Sequence, residues 1–415
     1  MPEQIDLVLV GGGAASFFAA IRAGEVCPEA SIRILEKTSS TLGKVKISGG
    51  GRCNVTHGCF DPAELVEAYP RGNRELRGAF HRFATGDTMD WFESRGVALK
   101  IEEDGRVFPT TDQSQTVIDC LNVASRRAGV EVMTRTELVE VERAEGGFLL
   151  RLRSGEEILA HQLVLGMGGL RGGKGGSIPE SLGLRVTETA PSLFTFKIRD
   201  PRLEDLSGLA VEEAEVRING EKLSATGPVL VTHWGLSGPG ILKLSAWGAR
   251  RLQQLDYRFE ISINWTGREA AADVMQQFAK KREEGNRHLV RNDPIAGIPQ
   301  RLWKRLVDPI LGSEADTQRW SHLGKKVAQR IATELTDCQF RVQGQSLNKE
   351  EFVTCGGVAL DQIDFRTMEA RETPGLYVIG ETLDVDGITG GYNFQAAWTT
   401  GWLAGSAAGA NLNEA

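Results

Sequence analysis

The sequence predicts an α/β fold with a parallel sheet, interrupted by an inserted region, and three observations predict it. Near the N-terminus an apolar run, Ile5 to Val10, breaks into Gly11-Gly12-Gly13-Ala14-Ala15-Ser16 and then a helical stretch, Phe17 to Ala23. Near the C-terminus a second apolar run, Leu376 to Ile379, ends in Gly380-Glu381. Between them, from Pro191 onward, strand-like alternation and then charge-rich helical periodicity replace the opening pattern. The first signature alone fits any dinucleotide. The pair fits one dinucleotide held from both ends by a single fold.

Taken in order, Ile5–Val10, a helix from about Ala14 to Gly24, and Ser31–Glu36 form a βαβ unit that opens the sheet. A glycine-filled loop, Leu42 to Asn54, follows. Helical periodicity returns at Pro62–Ala68, Arg74–Phe83 and Thr85–Arg95, then a hairpin-like piece, Leu99–Pro109, leads to a helix at Gln113–Ala128. Strands at Val130–Arg135, Glu137–Ala144, Gly147–Leu152 and Glu157–Ala160 precede a buried strand, Gln162–Leu165. That strand ends in Gly166-Met167-Gly168-Gly169, with further glycines to Gly176. The expected organisation is a first part of the dinucleotide domain over 1–190, a β-rich inserted subdomain over 191–265, a helical inserted subdomain over 266–337, and a second part of the dinucleotide domain over 338–415.

Composition narrows the class. A formal net charge of −7 gives no global attraction to nucleic acid or anionic membrane, so neither partner is expected. No apolar segment is long enough to span a bilayer and no signal-like region precedes the first strand, so a cytoplasmic location is expected. The 6 cysteines form no C-x-x-C pair and no Cys/His metal spacing; they read as free thiols, and no metal is expected. Oligomeric state is not written in the sequence.

The glycine turn carries the cofactor reading. Gly11 permits the tight turn, Gly13 lets backbone approach a pyrophosphate, and the helix start at Ala14 and Ala15 offers N–H groups and a positive dipole end. Ser16 stands where a third glycine is usual. Glu36, followed by Lys37, closes the second strand where a carboxylate takes a ribose hydroxyl. The bland alternative is a glycine turn in an ordinary α/β unit. FAD is favoured over NAD because the one full fingerprint is N-terminal, and Gly380-Glu381 places its acid where a ribityl chain runs. Gly390-Gly391-Tyr392-Asn393-Phe394-Gln395 then enters a small-residue helix, Ala396–Ala408, whose N-terminus suits the N1–O2 edge of a flavin. The loop Ser48-Gly49-Gly50-Gly51-Arg52-Cys53-Asn54 supplies amides and a guanidinium for the pyrophosphate or ring edge, with Lys44 just before it. Val139 offers backbone to the adenine, and Gly168 and Gly169 end a strand facing the same cofactor.

These segments resemble the BaiN/YhiN-like NAD(P)/FAD-dependent oxidoreductases, a bacterial family that includes an aminoacetone oxidase. The resemblance runs through Lys44–Thr56, Gly105–Pro109, Thr232–Pro239, Gly356–Val358 and Gly375–Gly401, in one order along essentially the whole chain. It implies a glutathione-reductase-type, discontinuous FAD-binding Rossmann domain carrying a β-rich and a helical subdomain. Departures are Ser16 and the run Gly166-Met167 where the family tends to have Ala-Thr. The glycine-rich loop Leu170–Ser177, at the expected substrate mouth, is a further difference.

The expected activity is transfer of a hydride or electrons between non-covalent FAD and a small organic substrate, with NAD(P)H as partner. Alternatives are an amine or aminoketone oxidase using oxygen, and a flavin-dependent tRNA-modifying or regulatory protein. His233, in a glycine- and proline-punctuated turn, is a candidate acid/base or loop-holding residue. Cys53 beside Arg52 is either a thiolate or a small packing residue, and Tyr392 is a candidate to touch flavin or substrate. Arg106 balances a substrate carboxylate or forms a structural ion pair. The basic positions Lys280 to Arg282, Arg287, Arg291, Arg301, Lys304 and Arg305 are interleaved with acids and read as a solvated helix face rather than an RNA contact.

Overall fold

Leu7, Val8 and Leu9 are consecutive and have 0% exposure, which a strand covered on both faces allows. They belong to β1 (Glu3–Val10) in the computed structural model, which describes residues 2–170, 177–346 and 353–414. The expected substrate-mouth loop lies largely outside the described residues. From β1 the chain passes through α1 (Ala14–Val26) to β2 (Ile32–Glu36), which pairs parallel with β1 from Leu7–Ile32 to Val10–Leu35.

The stretch expected as a loop from Leu42 to Asn54 is partly helical. In α2 (Gly43–Gly51) the helix breaks at Ser48, where ψ is 148°, and Gly49, Gly50 and Gly51 follow at φ 58°, 69° and 87°. Three left-handed residues in a row are accessible at low cost only to glycine. A small antiparallel sheet then joins β3 (Thr56–His57), β4 (Leu99–Ile101) and β5 (Arg106–Pro109) in the order β3-β5-β4.

The main sheet resumes with β6 (Val130–Thr134), parallel to β2, and a hairpin of β7 (Leu138–Ala144) and β8 (Gly147–Leu152). The two short strands expected at Glu157–Ala160 and Gln162–Leu165 are one strand, β9 (Glu157–Leu165). Its first half pairs antiparallel with β8, and from Ile158 to Leu165 it pairs parallel with β1. Its last residues pair parallel with the strand Leu376–Val378. Strand β9 thus joins the N-terminal and C-terminal signatures in one sheet.

The C-terminal helix, Tyr392–Glu414, lies against α1 along a glycine stripe. A Cβ at Gly401 would sit 2.5 Å from the Ala15 carbonyl oxygen, and one at Gly409 would sit 3.0 Å from that of Ala23. Gly405 approaches Ala19 in the same way. Positions four apart share a helix face, so these glycines let two backbones touch along their length.

Residues 1–191 and 349–415 make one compact unit, and residues 192–348 make a second. The second contains a 7-stranded antiparallel sheet that includes Ala210–Ile218, Ser224–Thr232 and Phe259–Asn264. The helices Ala271–Glu283, Gln300–Leu311 and Lys325–Thr336 share its core, where Trp265, Trp303 and Trp320 are fully buried. The β-rich and helical stretches divided at 265 in the sequence reading therefore share one core. The strand Cys338–Val342, expected to reopen the dinucleotide domain, pairs with Phe259–Asn264 inside this unit. No helix among the described residues is long and apolar enough to cross a membrane.

Candidate functional site

The turn after β1 meets the ends of two neighbouring strands. Gly11, at φ 100°, approaches Gly166 after β9 so closely that its Cβ would lie 2.5 Å from the Gly166 carbonyl oxygen. The Gly12 amide donates to Glu36 Oε2 at 2.7 Å, and Glu36 Oε1 accepts from the Thr38 amide and hydroxyl. Glu36 is thereby fixed at the rim of the turn, with carboxylate lone pairs to spare. Lys37, next to it, is exposed. Gly13 precedes α1 with no side chain capping the helix and no acid in its first turn. The leading amides of α1, from Ala14, Ala15 and Ser16, thus form an uncapped positive end.

Ser16 and Gly166 explain each other. Ser16 is fully buried and its Oγ lies 3.5 Å from the Gly166 carbonyl oxygen. A Cβ at Gly166 would come under 3.0 Å from that Oγ. A serine in the third fingerprint position is accommodated by removing the side chain opposite it. Beyond lies Glu381, whose Oε1 accepts from the Thr354 amide at 2.8 Å. Its Oε2 is ion-paired with Lys44. Gly168 and Gly169 pass directly by the Glu381 carboxylate, and the Gly380 amide donates to Thr400 Oγ1 of the C-terminal helix at 3.0 Å.

The loop 48–57 and the start of the C-terminal helix are tied together. With its amide oriented to satisfy its neighbours, Asn54 donates to the Thr56 carbonyl at 2.8 Å and accepts from the Gly391 amide at 3.0 Å. Thr56 and Thr88 hydroxyls both donate to Gln395 Oε1, and Gln395 Nε2 donates to Thr399. Trp398 Nε1 donates to the Val55 carbonyl at 2.9 Å. This buried polar network anchors the helix; its sequence signals were Asn54 in the glycine-rich loop and Gln395 in the Gly-Gly-Tyr-Asn-x-Gln run. Asn393, expected at the flavin, uses its side chain to hold the preceding loop, with Oδ1 accepting from the Gly387 amide at 2.8 Å and Nδ2 donating to the Gly387 carbonyl at 2.9 Å. Phe394 stacks on Trp398.

His57 was not singled out in the sequence. Its ring stacks on Tyr392 with centroids 4.6 Å apart and planes 18° from parallel. Its Nδ1 is buried with no partner among the described residues. Burial lowers the His57 pKa despite the Asp104 carbonyl at the ring, so the imidazole is held towards its neutral form. The Tyr69 hydroxyl donates to the Tyr392 carbonyl at 2.6 Å, and burial pushes the Tyr392 phenol up to about 12.

The remaining expected residues are placed as follows. Arg52 donates one nitrogen to Glu102 Oε1 at 2.7 Å and sits 3.8 Å over the Phe108 ring, so its guanidinium is held beside the small sheet. Cys53, fully buried beside it, has its thiol pushed up to about 12 by desolvation, which corrects the thiolate reading. Val139 is 45% exposed where β7 slips register against β8. His233 is an exposed residue in the second unit, at the tip of the hairpin Ser224–Thr232 and Gly235–Ser237. Arg106 pairs with Asp104 at 2.6 Å, as in the structural alternative.

The residues that converge fit FAD. A Cβ at Gly13, Gly43, Gly50 or Gly51 would meet nothing within 4 Å, so bare backbone faces open space at the start of α1 and along α2. No carboxylate stands in the first turn of α1, where a pyrophosphate would lie, and Glu36 and Glu381 stand on either side as hydroxyl acceptors. The sequence profile of the HI0933-like protein Rossmann domain matches residues 5–407. A ribosomal RNA dihydrouridine synthase of Escherichia coli K12 is 32% identical over 96% of this chain and 97% of its own length. A 3-dehydro-bile acid delta(4,6)-reductase of Clostridium scindens is 28% identical over 96% of this chain and 98% of its own. Among solved structures, 3-ketosteroid delta1-dehydrogenase of Sterolibacterium denitrificans shares the fold with a TM-score of 0.52 and 13% identity, over 99% of this chain and 100% of that one. The chain belongs to the HI0933-like Rossmann-domain family and is a flavoprotein oxidoreductase.

Proposed function

We propose that this flavoprotein reduces a carbon–carbon double bond conjugated to a carbonyl, with NAD(P)H as electron donor and a uridine of RNA as its substrate. The observation that carries the reading is the shared chemistry of two full-length relatives. Dihydrouridine is uridine with its C5–C6 double bond saturated, and a 3-dehydro-delta(4,6) bile acid carries double bonds conjugated to its ketone. In both, a hydride adds to the electrophilic end of a double bond conjugated to a carbonyl, the β carbon or, through a second double bond, the δ carbon, and a proton adds to the other end of the system, at the α or γ carbon. Bound FAD supplies the hydride chemistry.

The chain's residues take the remaining tasks. The Gly11–Ser16 turn and the α1 amides hold the pyrophosphate, and Glu36 takes the adenosine ribose. Glu381, with Lys44, takes the ribityl hydroxyls. The first amides of the C-terminal helix, at Tyr392, Asn393 and Phe394, favour negative charge on the flavin ring. Tyr392 keeps its Oη proton up to about pH 12, so it serves as a proton donor rather than a base. An RNA substrate departs from the small-molecule expectation; the identity to the ribosomal RNA enzyme favours it, while the bile acid reductase keeps a small conjugated ketone as the second reading.

The test is anaerobic. NADPH or NADH should bleach the flavin, and unmodified ribosomal RNA should restore its colour while gaining dihydrouridine by mass spectrometry. Reoxidation by a conjugated ketone alone would select the second reading. A flavin that neither nicotinamide cofactor bleaches, but that yields peroxide with an amine, would overturn both.

A further inference from the structure

We propose that a surface of the inserted unit, made by Trp234 and the basic face of the helix Gln300–Leu311, binds single-stranded RNA. This rests on the RNA reading above. The helix buries Leu302, Trp303, Leu306 and Val307 on one side. Arg301, Lys304 and Arg305, spaced three and four apart, occupy the other side and line a groove of about 440 Å³ against Pro201 and Leu206. Arg301 spends one nitrogen on the Asp205 carbonyl and Arg305 one on the Glu204 carbonyl, leaving further N–H donors of each planar fork for a phosphate. Arg305 also lies 3.6 Å from the Asp205 carboxylate, but that side chain is 91% exposed, a screened pair that a phosphodiester can displace.

The second observation is aromatic. Trp234 is 64% exposed, yet it stands on a rigid tip. Thr232 and Gly235 pair across the tip, the Trp234 carbonyl accepts from the Ile198 amide at 3.0 Å, and the Trp234 amide donates to Thr232 Oγ1 at 3.3 Å. The same segment that meets the tip at Ile198 runs through exposed Arg199 to Pro201, Glu204 and Asp205, where the basic helix takes hold. A stacking ring and a file of cations thus border one stretch of chain. Cations that track phosphates beside an aromatic platform are what an unpaired strand requires, and a duplex keeps its base faces from the ring. The attraction is local, since the chain as a whole carries a net charge of −7.

The experiment uses the full-length, flavin-loaded protein and a short fluorescein-labelled oligoribonucleotide, single-stranded or annealed to its complement. The single strand should bind more tightly than the duplex. Trp234→Ala should weaken single-strand binding about tenfold. Arg301→Glu combined with Lys304→Glu should weaken it by at least about tenfold and flatten the dependence of log K on log salt by about one and a half. Flavin content and NADPH bleaching should stay as in the wild type. The surface is overturned if the wild type fails to retain RNA, if duplex binds as well as single strand, or if the variants bind unchanged. Dihydrouridine formation separates the two claims: variants that modify and bind RNA like the wild type sink the surface alone. A wild type that binds through these residues but never forms dihydrouridine sinks the reading of the reaction alone.

Discussion

At the scale of single residues, burial decides protonation. Cys53 sits at φ 63° with 0% exposure, and its thiol is pushed up to about 12. At pH 8 roughly one in ten thousand such thiols is ionised, and the thiolate is the reactive form. Iodoacetamide should therefore leave Cys53 unmodified in the folded protein and label it after unfolding, read by peptide mass. Rapid native labelling would show the thiol to be activated after all. His57 titrates in the opposite sense, because burial lowers its pKa below 6.5. The unfolded chain takes up this proton first as pH falls, so folding stability should decline as pH drops through about 6.5 towards the folded value. His57→Phe keeps a ring against Tyr392 and removes the titration. Its melting temperature should lose that part of the acid-side slope, and an unchanged slope would place the titrating group elsewhere.

At the scale of elements, the opening βαβ unit was legible because its signals are local: an apolar run, glycines at fixed offsets, and a terminal acid. The partial helix α2 was hidden because its glycines read as loop, and only the five residues before Ser48 wind regularly. The joining of two strands into β9 was hidden because its halves are covered by different neighbours, β8 on one and Leu376–Val378 on the other. Residue contacts across long sequence separations were equally invisible: Asn54 with Gly391, Arg52 with Glu102, and Ser16 with Gly166. The last pair turns two departures from the family pattern into one packing solution. Gly166→Ala should destabilise the protein by about 1–3 kcal/mol through overpacking against Ser16 Oγ. Adding Ser16→Gly should recover most of the loss, giving a coupling energy in a double-mutant cycle of urea unfolding. Additive costs would mean that the clash is relieved elsewhere.

At the scale of the whole molecule, the chain carries two hydrophobic cores. One is built from residues such as Leu7, Phe17, Val164 and Trp398, the other from residues such as Ile261, Trp265, Trp303 and Trp320. The second unit runs over residues 192–348 and takes in Cys338–Val342, which the sequence reading gave to the dinucleotide domain. A strand that rejoins the main sheet and one that completes an antiparallel sheet look alike when each is a short alternating run, as Cys338–Val342 is. The same division governs how the cofactor stabilises the protein. Every residue assigned to FAD lies in the unit made of 1–191 and 349–415, so ligand binding feeds free energy into that unit's folding. At a free FAD concentration a hundred times its Kd the gain is about 2.7 kcal/mol. Calorimetry of the apoprotein should resolve two transitions. Added FAD should move one of them upward with concentration and leave the other, belonging to residues 192–348, in place. If both move together, the two cores unfold as one cooperative body and the cofactor's grip extends through the insertion.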